Sequence, residues 1–238
     1  MKKQIFNNLE ELNKSFTDLL KEILSEKDKV TIALSGGSTP KSIFDYWAKN
    51  HVNDIDWSKI YLFWGDERCV SPTDEQSNYK MTKDHLLDFV SVPESNIFRI
   101  EGENDPVSEA KRYSEVLAKE LNIVDNTPSF DIVILGMGDD GHTASIFPHE
   151  MHLWDSNENC VVAIHPESGQ KRVSITGKVI NNAQKVLFLV TGANKAEKVK
   201  VIIESQDLVK DTYPAARVNP SSGDFTWYLD TEAAKLLK

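Results

Sequence analysis

The chain has 238 residues, 40% of them hydrophobic and 27% charged, a composition that excludes disordered, collagen-like and other low-complexity proteins. Folding at this length buries roughly 70–75% of the unfolded surface, so no disulfide or metal staple is required. With 27 basic and 37 acidic residues the net charge is -10, which argues against non-specific nucleic-acid binding and against docking on anionic membranes, both of which want a basic face.

Lys2 and Lys3 mimic the start of a signal peptide, but Asn7, Asn8, Glu10 and Glu11 follow where an apolar stretch is needed. Residues 8–27 set Leu9, Leu12, Phe16, Leu19, Leu20 and Ile23 at helical spacing. Val30–Leu34 is a short apolar run ending in Ser-Gly-Gly, the pattern of a buried strand. Thr39 then suits a helix cap and Pro40 the first helical position. A second strand is expected at Ile60–Trp64, a helix over 77–90, a short extended piece at 97–100 and a helix over 106–121. Ile132–Leu135 reads as a third buried strand, and further strands are expected at 161–164, 173–176, 186–190 and 225–229. Helices are expected over 195–205 and 231–237.

Strands alternating with helices predict parallel βαβ units, hence an α/β fold with a mostly parallel open sheet and helices on both faces. Between 158 and 176 no long helix intervenes, which predicts a local hairpin. No repeat or Pro/Gly/Ser-rich linker divides the chain, so residues 1–238 read as one domain. The longest apolar runs fall far short of the roughly 20 residues that cross a membrane. Cys69 and Cys160 lack CxxC spacing and read as reduced thiols of a cytoplasmic protein.

Ligands of open α/β sheets sit at the carboxyl ends of the strands. The loops of interest therefore follow Leu34, Trp64, Leu135, Thr176 and Val190. Ser35-Gly36-Gly37-Ser38-Thr39 joins a strand to a helix and has the make-up of an anion cradle, without the Lys of a Walker A loop. Asp66-Glu67-Arg68 offers a carboxylate for sugar hydroxyls, assigned to Asp66, and a guanidinium for phosphate. Gly136-Met137-Gly138-Asp139-Asp140-Gly141-His142 matches G-x-G-x-x-G, but Asp139 and Asp140 would repel a pyrophosphate, so the dinucleotide reading fails. A histidine beside a carboxylate at a strand end fits general-base chemistry instead. His142, His149, His152 and Cys160 match no tight zinc spacing, so no metal is expected. Arg172 and Lys195 supply further cations near strand ends, and Arg217 is a weaker candidate.

Taken together, LSGGSTP (34–40), WGDERCV (64–70), SNYKM (77–81), FDIVILGMGDDGHTASIFP (130–148), RVSITGKVINNA (172–183), LFLVTGANKAEKV (187–199) and YPAARV (213–218) resemble the 6-phosphogluconolactonase family. The resemblance implies a fold shared with glucosamine-6-phosphate deaminases and related to ribose-5-phosphate isomerases. It implies hydrolysis of 6-phosphoglucono-1,5-lactone in the pentose phosphate pathway, without metal or cofactor. A monomer or weak homo-oligomer is expected. Carried over by motif, His142 is the general base, Asp140 its carboxylate, and Arg68, Arg172 and Lys195 the phosphate cations. Gly36, Gly37, Ser38 and Thr39 form the backbone cradle. In the deaminases the stretch after the histidine ends in Asn-Glu-Pro, whereas here Ser145-Ile146-Phe147-Pro148 carries no carboxylate. A catalytically silent sugar-phosphate sensor would keep the cations and have no need of the Asp140–His142 pair.

Overall fold

Apolar runs become strands and the periodic stretches between them become helices. The computed structural model describes Met1–Lys238. The first half comprises β1 (Lys2–Phe6), α1 (Leu9–Glu26), β2 (Val30–Leu34), α2 (Ser38–Asn50), β3 (Ile60–Trp64), β4 (Asp66–Arg68), α3 (Asn78–Thr82), β5 (Ile97–Phe98) and α4 (Pro106–Glu120). The second half comprises β6 (Asn122–Val124), β7 (Thr127–Ser129), β8 (Ile132–Leu135), β9 (Cys160–Ile164), β10 (Lys171–Ile175), α5 (Gly177–Asn181), β11 (Lys185–Val190), α6 (Ala196–Glu204), α7 (Gln206–Val209), β12 (Phe225–Asp230) and α8 (Thr231–Ala234).

Seven strands form one sheet in the order β1-β12-β11-β8-β2-β3-β5, and every pairing in it is parallel. Every residue of β2 and β8 is buried, so both faces of the sheet centre are covered. The expected hairpin is β9–β10, which pairs antiparallel and takes β4 on its other side. This small sheet stands beside the carboxyl edge of the large one, because β4 leaves β3 after the single residue Gly65.

Several expectations need correction. β1 has the sequence KKQIF and is largely exposed, so no apolar run marks it; its pairing with β12 makes it a strand. The β6–β7 hairpin turns through Asp125 (φ 48) and Asn126 (φ 59), residue types that tolerate this left-handed conformation. The helix expected over 77–90 splits into α3 and a π-helical turn at Lys83–Leu87. Thr39 does not cap α2: the cap is Gly37, Ser38 is the first helical residue, and Pro40 lies two positions further in. α8 ends at Ala234 rather than 237.

Tyr113 of α4 joins helix to sheet at the end of β3. Its side chain is 0% exposed; the hydroxyl accepts from the Trp64 N–H at 2.8 Å and lies 3.1 Å from the Trp64 carbonyl, to which it donates. Burial pushes the phenol well above its ordinary value, so it stays a donor. Tyr113→Phe strands the Trp64 N–H in the core and is expected to cost about 1–3 kcal/mol. Urea unfolding should show the lowered midpoint with an unchanged slope.

Candidate active site

Parallel strands send their carboxyl ends to one edge: Leu34 and Trp64, the last residues of β2 and β3, lie opposite one another, and Leu135, the last of β8, lies opposite Phe188, from which β11 runs on to Val190. The loops that follow β2, β3, β8 and β11 close a cleft of about 240 Å³. It gathers Gly36, Gly37, Ser38, Thr39, Asp66, Arg68, His142, Arg172 and Lys195. The Thr176 loop does not contribute. Arg172 enters from the start of β10, because β10 runs antiparallel in the small sheet. Arg217 lies outside, in a separate groove of about 730 Å³, where it pairs with Asp155 at 2.7 Å.

The imidazole of His142 is pinned from several sides. Its Nδ1 lies 2.6 Å from Asp140 Oδ1, which also accepts the His142 backbone N–H at 3.1 Å. An ionised carboxylate only accepts, so Nδ1 carries the hydrogen and Nε2 is left with a lone pair and no partner in the protein. Burial works to raise the Asp140 carboxyl, but the hydrogen bond to His142 and its charge prevail and hold it at about 2. Gly138 makes room for the ring: a Cβ there would lie 2.2 Å from both Nδ1 and Cε1. Phe147 packs against the ring at a centroid distance of 4.7 Å.

The cations are held under tension. Arg68 and Arg172 are direct cross-strand partners between β4 and β10. Like charges placed opposite one another destabilise a sheet. The Nε atoms of both are buried and unpartnered. Burial lowers the Arg172 guanidinium from its ordinary value, Asp66 works to raise it, and Arg68 lowers it further. Arg68 Nη1 donates to the Gln76 carbonyl at 2.5 Å. Asp66, 5% exposed, accepts from the buried Ser145 hydroxyl at 2.6 Å. Lys195 pairs with Asp139, which also accepts from the Asn194 amide.

Glu67 has a different task. It accepts from the N–H groups of Arg68, Asn78 and Tyr79 and from the Ser77 hydroxyl, so it anchors the start of α3. Burial nevertheless raises its carboxyl above the ordinary value. Asn78 thereby reaches the cleft and donates to the Asp66 carbonyl at 2.9 Å.

The N-terminus of α2 is open. Gly37, at φ 108, supplies no side-chain cap, and the first helical hydrogen bond runs from Lys41 N–H to Gly37 O. The N–H groups of Gly36, Gly37, Ser38 and Thr39 find no acceptor in the protein. The Thr39 hydroxyl instead meets Thr191 at 2.8 Å.

Asn78, Thr191 and Ala144 also line the cleft and were missed from the sequence. Ala144 sits at φ 48, a left-handed conformation that no alanine signals in advance. No three His, Cys, Asp or Glu side chains gather into a metal-binding cluster. Burial, with help from Glu67, pushes the Cys69 thiol up to about 11, and burial pushes Cys160 to about 12, so both stay protonated. No helix is long and apolar enough to cross a membrane.

The family profile of glucosamine-6-phosphate isomerases/6-phosphogluconolactonase matches residues 7–227. A 6-phosphogluconolactonase of Treponema pallidum is 46% identical over 197 residues, covering 83% of this chain and 82% of its own. The crystal structure of a protein designated devB superposes with a TM-score of 0.94 at 42% identity, covering 98% of each chain. A monomeric glucosamine-6-phosphate deaminase superposes with a TM-score of 0.85 at 22% identity, which speaks to the fold alone. The profile match and the 46% identity across most of both chains place this protein in one group: the chain belongs to the glucosamine-6-phosphate isomerase/6-phosphogluconolactonase family.

Proposed function

We propose that the protein is a 6-phosphogluconolactonase, hydrolysing 6-phospho-D-glucono-1,5-lactone to 6-phospho-D-gluconate in the pentose phosphate pathway. The observation that carries the reading is the meeting, in one cleft, of a carboxylate-held imidazole with a free Nε2 and two opposed arginines whose Nε atoms lack partners.

In this mechanism the phosphate binds Arg68, Arg172 and Lys195 and the open N–H groups of residues 36–39. Asp66 takes a sugar hydroxyl. Nε2 of His142 removes a proton from water as the water oxygen adds to the lactone carbonyl. Asp140 keeps the imidazole in the required tautomer and stabilises the imidazolium that forms. The tetrahedral intermediate collapses by breaking the bond to the ring oxygen, which takes the proton back from Nε2. A lactone is an activated ester, so no covalent nucleophile, metal or cofactor is required.

The deaminase alternative lacks support at the base. Where that family carries a carboxylate after the catalytic histidine, this chain carries Ser145, Ile146, Phe147 and Pro148, and Phe147 is fully buried against the imidazole. A silent sensor would leave the Asp140–His142 arrangement without purpose. We further place the enzyme in the cytoplasm, as a monomer or weak homo-oligomer, with residues 1–238 acting as one domain around one apolar core of 55 residues. A coupled assay on freshly generated lactone, corrected for spontaneous hydrolysis, tests the activity; ammonia release from glucosamine 6-phosphate would mark the alternative.

His142→Asn is expected to lower kcat by at least about 10²-fold, the lower range for a lost general base, while binding of 6-phosphogluconate changes little. Calorimetry and steady-state kinetics separate the two; near-normal kcat would move the base elsewhere.

The phosphate contacts are each worth roughly 1.5–3 kcal/mol but are not additive, so their joint preference is on the order of 3–6 kcal/mol. Unphosphorylated glucono-1,5-lactone should then have a kcat/KM lower by about 10²–10⁴-fold. Arg68→Ala or Lys195→Ala should impair the phosphorylated substrate and spare the other. Equal wild-type rates on both lactones would remove the phosphate site.

Asp140 has an acid-range signature of its own. Its folded value, about 2, lies below the ordinary 3.8. A depressed carboxyl stabilises the fold above its ordinary value and loses that contribution as pH falls through the folded one. Asp140→Asn should therefore cost stability near neutrality, and the difference from wild type should vanish between about pH 4 and pH 2. Urea midpoints across that window are the measurement; a constant difference would contradict the assignment.

A further inference from the structure

We infer that Phe147 is a positioning residue that sets the His142 imidazole and the Arg172 guanidinium in one frame, coupling proton transfer to phosphate recognition. The inference rests on the lactonase reading and adds a residue to its machinery.

Phe147 is 0% exposed, yet it is not part of the 55-residue apolar core, and three histidine rings and a cation lie against it. The His142 ring lies 4.7 Å away, tilted by 54°. The Arg172 guanidinium carbon sits over the Phe147 ring at 5.5 Å from its centroid. His165 meets the ring edge-on at 5.3 Å, and His149 lies at 5.9 Å. An aromatic face attracts a cation through its quadrupole. Arg172 needs that attraction, because its cross-strand neighbour is Arg68 and its own Nε has no partner. His142 needs a wall as well: Asp140 fixes one nitrogen, which leaves the ring free to swing about that bond unless something bears on its face. Gly138 bears on the Nδ1–Cε1 edge and Phe147 on the ring. One aromatic side chain thus meets the base and a phosphate cation, five residues from the first and 25 from the second.

The test compares wild type with Phe147→Met, which keeps much of the volume but loses the aromatic face. Both 6-phosphoglucono-1,5-lactone and glucono-1,5-lactone are substrates, and near-ultraviolet circular dichroism checks the fold. The methionine variant is expected to lose about tenfold or more in kcat, since a misplacement of about 1 Å costs up to ~10²-fold. Its kcat/KM preference for the phosphorylated lactone should shrink by about 3–30-fold, the loss expected for a partly desolvated cation–π contact. Phe147→Tyr, which retains the face, should restore both quantities. A merely structural role would lower active-enzyme yield and leave the substrate preference untouched. If methionine does not fit, Phe147→Leu carries the same comparison. An inactive wild type overturns the lactonase reading and this inference with it. An active wild type matched in either quantity by the methionine or leucine variant, or a tyrosine variant as impaired as methionine, overturns the inference alone.

Discussion

All seven strands of the main sheet run the same way, and the rest of the molecule is organised by that constraint. Parallel strands cannot be joined by tight turns, so helices must carry the chain back and cover both faces. The faces are then closed to ligands, and the carboxyl edge is the place where loops and helix N-termini meet. Four loops with separate sequences, after β2, β3, β8 and β11, become one cleft because parallel pairing brings their strand ends to one edge.

The antiparallel β4–β10–β9 sheet adds what the parallel sheet lacks, a second wall with charged residues. β4 consists of three charged residues, and each has a distinct partner. Glu67 turns inward and anchors α3; Asp66 is held by Ser145; Arg68 faces Arg172 across the register. Two arginines side by side in a half-buried wall are unfavourable for the empty protein and favourable for one that binds an anion. The same local frustration reconciles a net charge of -10 with an anionic substrate. Long-range steering by the whole protein is weak or adverse, so capture depends on short-range contacts that salt screens less.

The proposed base is built on the opposite principle. Nothing there is frustrated: Asp140, Gly138 and Phe147 each remove one freedom of the His142 ring and leave Nε2 open. Lys195 is intermediate, since Asp139 neutralises it, and in the proposed mechanism a phosphate competes for it. The uncapped start of α2 follows the frustrated pattern again, because a serine or threonine cap would have consumed donors that Gly37 leaves free.

Much of this was legible in the sequence, for reasons of period and composition. β2, β3, β8 and β11 are short, continuous apolar runs, and only strands buried on both faces need that composition. The helix periodicity of α1 is equally local. Asp140 and His142 are two residues apart, so their pairing was readable as spacing. What tertiary structure decided is whatever depends on a partner distant in the chain. β1 is a strand because β12 lies beside it, and no feature of KKQIF says so. Thr39 is spent on Thr191 rather than on capping, a choice set by a residue 152 positions away. Arg217 fell outside the cleft because it pairs with Asp155, 62 positions away, in another groove, and the Thr176 loop fell outside because β10, running antiparallel, brings its start and not its end to the cleft. The opposition of Arg68 to Arg172 has the same origin. Sequence determines which groups are available, and strand direction and register, set by long-range pairing, determine which of them meet.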